Sequence, residues 1–358
     1  MPSSLWPIQE HTKAKHVLLK AYLDQWFPIM ARYEPSLIFI DGFAGPGRYS
    51  GGEPGSPIVA LQSVLDHPSF QNFKGHILFA FFEKNEAYCS NLQQELRKEA
   101  DSRGGFPAKL KIVQENTDFA TGIRKLSLGS LKNERQAGPI LAFVDPFGFS
   151  GIRLLDIIAL LNRPKCELLF NLMSDSMVRF RKHPNEVIQQ DLSDFYGGNQ
   201  YLQDFDEGSV SDNLASVFKD SLLRQSRFKY VRTFKMVNYR GKANFLIFAT
   251  QHPKGVKAMK DAMWKVDPTR GKRFSAVESD PLFAGIPDFL AFEREVVDKF
   301  HGQSVKVAEI EEFVTLESDF RKEQLRDNVL RPLESRALIK VTRSGKQGYN
   351  SEAIIQFN

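Results

Sequence analysis

Cysteine is nearly missing from this chain of 358 residues, which carries two, Cys89 and Cys166. Two isolated thiols make neither a disulfide framework nor a zinc cluster. They read as half-buried thiols in a reducing compartment, and the expected location is the cytoplasm. No apolar run reaches about 18 residues, so no membrane span is expected. The opening stretch MPSSLWPIQEHTK lacks the charged-then-apolar pattern of a secretory leader. Gly-Lys-Ser/Thr does not occur, which excludes a P-loop. Repeats and low-complexity tracts are absent as well. Neither sign of charge dominates: 48 Lys and Arg face 43 Asp and Glu, a formal net charge of +5. That balance permits a polyanionic partner without demanding one.

What is present is a chain 42% apolar, enough for one large core and a smaller second one. The most informative stretch is LIFIDGFAGPGRYSGGEPGSP, residues 37–57. Leu37 to Ile40 reads as a buried strand ending at Asp41. A turn follows through Gly42, Phe43, Ala44, Gly45 and Gly47, and a helix starts at Ser56-Pro57. Strand, glycine turn and helix present backbone N–H groups to a ligand at the carboxyl edge of an α/β sheet. A long loop separates Gly47 from the helix, which suits a dinucleotide diphosphate poorly. S-adenosylmethionine (SAM), which has no phosphate, fits better. Asp41, Gly42, Phe43, Ala44, Gly45 and Gly47 are the candidate cofactor cradle, with Arg48 beside it toward the substrate. An ordinary tight turn is the alternative.

A second strand, His76–Phe82, ends at Glu83, whose two carboxylate oxygens suit the two hydroxyls of a ribose. A third, Lys109–Val113, leads to Asn116 and Asp118. One of these is expected against an adenine amine, with a helix cap as the competing role. A fourth, Pro139–Val144, ends in Asp145-Pro146-Phe147-Gly148. In this place an Asp side chain and a backbone carbonyl can accept the hydrogens of a conjugated amine and aim its lone pair. An aromatic residue there can stack on a flipped base. Asp145, Pro146 and Phe147 are therefore the candidate catalytic residues. A fifth strand, Cys166–Asn171, puts Asn171 at the same edge, and Arg179 follows on the substrate side.

The helix predicted from Thr12 to about Arg32 carries Ala14, Val17, Leu18, Ala21, Tyr22 and Trp26 on one face, with Lys13 and His16 expected in solvent and a role near the ligand as the alternative. Residues 176–225 read as an inserted helical lobe. Tyr230–Val237 and Phe245–Thr250 form a closing antiparallel hairpin. Basic residues concentrate between Leu222 and Arg273, and Lys254, Lys257 and Lys260 are the candidate phosphate-tracking stripe, a solvated face being the default. Beyond Ile286 three helices and a hairpin with a turn at 344–348 suggest a winged helix, with Arg343 and Lys346 on its wing. The division expected is 1–285 for a Rossmann-like α/β domain and 286–358 for the winged helix.

HTKAKHVLLKAYLDQW, FIDGFAGPGRYSGGEPGSPIVAL, FVDPFGFSGI, LFNLM and NFLIFATQHPKGVKAMKDAMWKVD together resemble the three-Cys-motif partner protein family, TcmP. The resemblance covers about residues 5–270. It implies a class I methyltransferase fold, SAM as cofactor and a partner protein with a three-cysteine motif similar to radical-SAM proteins. It names no substrate. Nucleic acid is the expected acceptor class; neither cysteine follows a proline at the catalytic edge, so a cysteine-mediated attack on pyrimidine carbon is disfavoured. A catalytically silent scaffold binding nucleic acid or the partner, and a protein methyltransferase, are the alternatives.

Overall fold

The structure, a computed structural model, describes residues 5–128, 138–205, 207–277, 285–343 and 348–358. The first half alternates helix and strand: α1 (Glu10–Ala31), β1 (Ser36–Asp41), α2 (Ser56–Leu65), α3 (Ser69–Asn72), β2 (His76–Glu83), α4 (Glu86–Asp101), β3 (Leu110–Asn116), α5 (Phe119–Leu128), β4 (Ile140–Val144), α6 (Leu154–Leu161) and β5 (Glu167–Leu172). Then come α7 (Ser174–Phe180), α8 (Glu186–Tyr196), α9 (Val210–Gln225), β6 (Tyr230–Val237), β7 (Ala243–Thr250), α10 (Pro253–Val266) and β8 (Arg273–Ser275). The last unit holds α11 (Phe289–Phe300), β9 (Ser304–Lys306), α12 (Val307–Leu316), α13 (Arg331–Ser335), β10 (Ile339–Thr342) and β11 (Ile354–Phe357). No described helix is long and apolar enough to cross a membrane.

The eight-stranded sheet runs β3-β2-β1-β4-β5-β7-β6-β8. Strands β1 to β5 are parallel, and β7 is antiparallel to both β5 and β6. This is a Rossmann-like α/β sheet closed by an antiparallel hairpin. Its parallel strands are buried on both faces, which is why β1, β2 and β4 read as unbroken apolar runs. One core fills the face covered by α5, α6, α8 and α9, and a second fills the face covered by α1, α2, α4 and α10. The chain winds outward from β1 to β2 and β3, then returns to start the other half at β4. The gap between the carboxyl ends of β1 and β4 is therefore the topological switch point, where open α/β sheets bind ligands.

Several expectations change. The stretch 176–225, read as an inserted helical lobe, contributes to the main core: Leu192, Phe195, Tyr196, Leu214 and Phe218 are buried, and the Phe218 ring stacks on Phe170 at 4.9 Å. Val17 lies 49% exposed, off the buried face of α1. Strand β8, parallel to β6, was not expected. The C-terminal unit has three strands, in the order β10-β11-β9, rather than a hairpin alone. Its third helix, expected within Asp319–Leu338 with an interruption at Pro332, is a 3-10 turn at Lys322–Gln324 and a π segment at Arg326–Leu330 continued by α13. Of the expected turn at 344–348, residues 344–347, with Lys346, lie outside the described residues.

The C-terminal unit has its own core, which Trp264 of α10 enters. The Trp264 indole N–H donates to the Asp319 carbonyl at 2.9 Å. Arg232 of β6 donates to the carbonyls of Glu317 and Ser318, at 3.0 and 2.9 Å, and pairs with Asp319. Lys260 is buried in the same seam, its ammonium nitrogen on the Val314 carbonyl.

Candidate functional site

At the switch point the turn after β1 is laced to both neighbours. The Gly42 amide donates to the Phe143 carbonyl at 3.0 Å and the Ala44 amide to the Phe82 carbonyl at 2.9 Å. Asp41 anchors the turn from beneath: its Oδ1 accepts from the Phe43 amide at 3.2 Å, and its Oδ2 is buried without a partner. Burial pushes the Asp41 carboxyl up to about 7, against the neighbouring Ser56 hydroxyl and the Phe43 amide, which favour the charged form. Gly45 sits at φ +64°, and a Cβ built there meets no atom within 4 Å. That open space adjoins Glu83, which accepts from the Gly45 amide through Oε2 at 2.9 Å and from the Asn85 amide through Oε1 at 2.7 Å. Each oxygen keeps a further lone pair for a ligand hydroxyl. Gly47 serves packing instead: a Cβ would lie 3.0 Å from a Leu92 methyl.

A cleft of about 490 Å³ opens here, walled by Phe43, Glu83, Asp118, Phe119, Phe147 and Ile152. Phe43 and Phe119 stack at 5.7 Å as its apolar floor. Asp118 borders the cleft and also caps α5, accepting from the Thr121 amide at 2.9 Å and hydroxyl at 2.8 Å. Burial works to raise its pKa, but those bonds outweigh it and hold the carboxyl low. Asn116 does not line the cleft. Its amide donates to the carbonyls of Glu83 and Lys84, at 2.9 and 3.0 Å, and so fixes the end of β2.

A second cleft, of about 250 Å³, lies on the α1 side, with Lys15, His16, Gly45, Tyr49, Asp145 and Asn171 in its wall. Phe43, Pro146 and Phe147 border both clefts. Asp145 is held from two directions: Oδ1 accepts from the Asn171 amide at 2.6 Å, and Oδ2 is ion-paired with Lys15. Asn171 itself has a buried Oδ1 without a partner. Phe147 stands 77% exposed at the shared rim.

The α1 side is where the sequence reading fell short. Lys13 is in solvent, paired with Glu10 at 2.7 Å, as expected. His16 is not: it is buried, and burial followed by the Lys15 charge lowers its pKa to about 4, so it is neutral. His11, Lys15 and Tyr49 were not singled out. Lys15 falls four residues after His11 and before Leu19, so it rides an apolar face of α1. A lysine at that period is the signal that could have found it.

Several expected substrate contacts lie elsewhere. Arg48 borders the cleft, but its guanidinium bonds Glu95 at 2.9 Å, Glu99 at 2.6 Å and the Gly52 carbonyl at 2.9 Å, which ties the loop to α4. The stripe of Lys254, Lys257 and Lys260 is not a free basic track. Lys254 lies over the Tyr33 ring, at the amino edge of the sheet, opposite the clefts. Lys257 pairs with Asp261 and Glu323, at 3.0 and 3.1 Å, and Lys260 is sealed under the C-terminal unit. Arg179 does sit exposed on α7, just beyond the carboxyl end of β5.

No family model and no curated protein matches this chain. Among solved structures it is similar to human Methyltransferase-like protein 13 in complex with SAH, at 13% identity and a TM-score of 0.35, covering 70% of this chain and 91% of that one. It is also similar to a geranyl diphosphate methyltransferase in complex with GPP and sinefungin, at 11% identity and a TM-score of 0.32, covering 65% and 76%. A third, described as the METTL16 MTase domain, gives 11% identity and a TM-score of 0.32, covering 64% and 66%.

Proposed function

We propose that this chain transfers the methyl group of SAM to an acceptor on nucleic acid. The observation that carries the reading is the pair of clefts meeting at the switch point across one wall of Phe43, Pro146 and Phe147. A cofactor with its adenosine in the first cleft and its amino-acid end along the turn, whose Gly45 and Gly47 border the second, would meet there an acceptor that enters the second. The residues fit SAM. Gly45 leaves open space beside a carboxylate that has acceptor capacity to spare, and stacked phenylalanines floor the cleft. Glu83 would take the ribose hydroxyls, with Asp118 and Phe119 toward the adenine and the Gly42–Gly47 turn along the amino-acid portion. Bound SAM supplies an electrophilic methyl group on a sulfonium.

The protein's own work is done by Asp145. Lys15 and Asn171 fix its carboxylate in one orientation. The remaining lone pairs would accept N–H from an acceptor amine and steer its nitrogen lone pair toward the cofactor cleft. Phe147 would pack against the acceptor ring. The C-terminal unit we read as a winged helix that docks protein, in keeping with the three-Cys partner the resemblance implies. Its cations are largely paired within the unit: Lys322 and Arg326 with Glu311, Arg331 with Asp327 and Arg343 with Glu334.

A silent scaffold is the second reading, favoured by the engagement of both Asp145 oxygens within the protein. Labelled SAM given to separate RNA, DNA and protein fractions decides between them. Methyl incorporation into a nucleic-acid fraction is expected. Incorporation into protein alone moves the acceptor class, and no incorporation with or without the partner supports the scaffold.

A further inference from the structure

One part of the rim is unused by the methyl-transfer reading. Three segments stand together at the carboxyl edge of the sheet: the turn after β4, helix α7 and the tip of the β6–β7 hairpin. Ser174 ties α7 to the hairpin by donating to the Ala243 carbonyl at 2.6 Å, and Lys242 at the hairpin tip pairs with Asp175 at 2.6 Å. Asn244, the second residue of β7, lines the same cleft as Phe147. The hairpin therefore reaches the acceptor cleft at Asn244, and its tip continues outward from there.

The side chains set out along this edge are unusual for a solvated surface. Phe147 is 77% exposed and Tyr239 56%, with Val178 also in solvent. Two arginines stand among them. Arg179 lies over the Phe180 ring at 4.9 Å and Arg240 over the Tyr239 ring at 5.2 Å. Among the described residues, neither bonds a carboxylate, whereas the nearby lysines 182, 235 and 242 pair with Asp204, Asp212 and Asp175. Exposed rings with unneutralised guanidinium planes are what stack bases and meet phosphates. A protein presenting lysine or arginine tails would want carboxylates at this rim, and Asp175 is already neutralised by Lys242.

The platform also selects strandedness. Two arginines are too few to follow a duplex backbone. Ring faces are useful only to bases already out of a stack. Unpaired, splayed bases are the usual recognition element of RNA. We propose that Tyr239 and Arg240, with Arg179, form a landing platform for single-stranded RNA, on which nucleotides flanking the methyl acceptor stack while the acceptor itself enters the cleft beside Asp145. The assignment rests on the methyl-transfer reading for the identity of that cleft.

The test is fluorescence anisotropy with the full chain and a mixed-sequence RNA of about 12 nucleotides, compared with DNA of the same sequence and the RNA duplex. Expected is saturable binding to single-stranded RNA that falls steeply with salt. Tyr239→Ala with Arg240→Ala should weaken it roughly tenfold or more, the scale of losing one stacked base and one phosphate contact. Tyr239→Phe, which keeps the ring, should bind as wild type. Both positions are exposed on a turn, so circular dichroism of the double variant should be unchanged. Equal binding by the folded double variant, tighter binding to the duplex, or binding to a basic peptide in place of RNA would each overturn the platform. DNA bound as tightly as RNA would overturn the choice of RNA. Titration of wild type with SAH reads the other proposal separately. RNA binding through Tyr239 without SAH binding sinks methyl transfer and leaves the platform. SAH binding without RNA binding does the reverse.

Discussion

Glu83 carries the most weight of any single side chain on the cofactor side. It holds the glycine turn through Gly45 and the start of α4 through Asn85, and it faces the cleft with what capacity remains. Glu83→Ala should weaken SAH binding by about 1–3 kcal/mol, the loss of charge-assisted hydrogen bonds. Gly45→Val should abolish it, since the new side chain would enter open space that no protein atom fills. Calorimetric titration of both folded variants checks this, and unchanged affinity in both would remove the cofactor assignment. Asp145 separates chemistry from binding. Asp145→Ala should lower turnover roughly 10²-fold or more with little change in SAH affinity. Asp145→Asn keeps an acceptor oxygen and should retain partial activity. A residue acting purely as a base would lose nearly all activity in that swap, so single-turnover rates on the two variants tell orientation from proton abstraction.

Among the elements, the loop from Arg48 to Gly55 is pinned rather than free. Arg48→Ala removes three bonds to α4 and the loop itself, and should cost about 1–3 kcal/mol of stability. Thermal melts with limited proteolysis near Gly51-Gly52 would register it; an unchanged melt and an uncut loop would show that the bonds hold nothing. The elements themselves were largely legible. Buried parallel strands must be apolar on both faces, so β1, β2 and β4 announced themselves, and each ended on an acidic residue at the binding edge: Asp41, Glu83 and Asp145. Short strands escaped because Arg273–Ser275 and Ser304–Lys306 pair over three residues each, too few for a period to show. The buried cations Lys15 and Lys260 escaped for a different reason. Composition reads a lysine as solvent-facing, and only the residue three or four positions away reveals which face it rides. In α10 the inward face carries Val256, Met259 and Met263, and Lys260 shares it.

The whole molecule is joined along a polar seam between α10 with β6 and the C-terminal unit. Within it Lys260 has its pKa lowered to about 7, by burial first and then by Arg232, against the opposing pull of Asp319, Glu295 and Asp261. Unfolded, the same amine would return to 10.5. Between those values the unfolded chain binds the extra proton, so this lysine's share of stability rises with pH across the window. Lys260→Met should flatten that rise in denaturant titrations between roughly pH 7 and 10; an equal slope in both proteins would mean that the amine titrates normally. The seam is therefore also a source of acid: as it closes at about pH 8, nearly one hydrogen ion leaves the amine for the surrounding buffer. Heat measured on melting then depends on what the solution must give back. Tris, which absorbs much heat on ionising, should show a larger apparent enthalpy than phosphate, and Lys260→Met should narrow the gap.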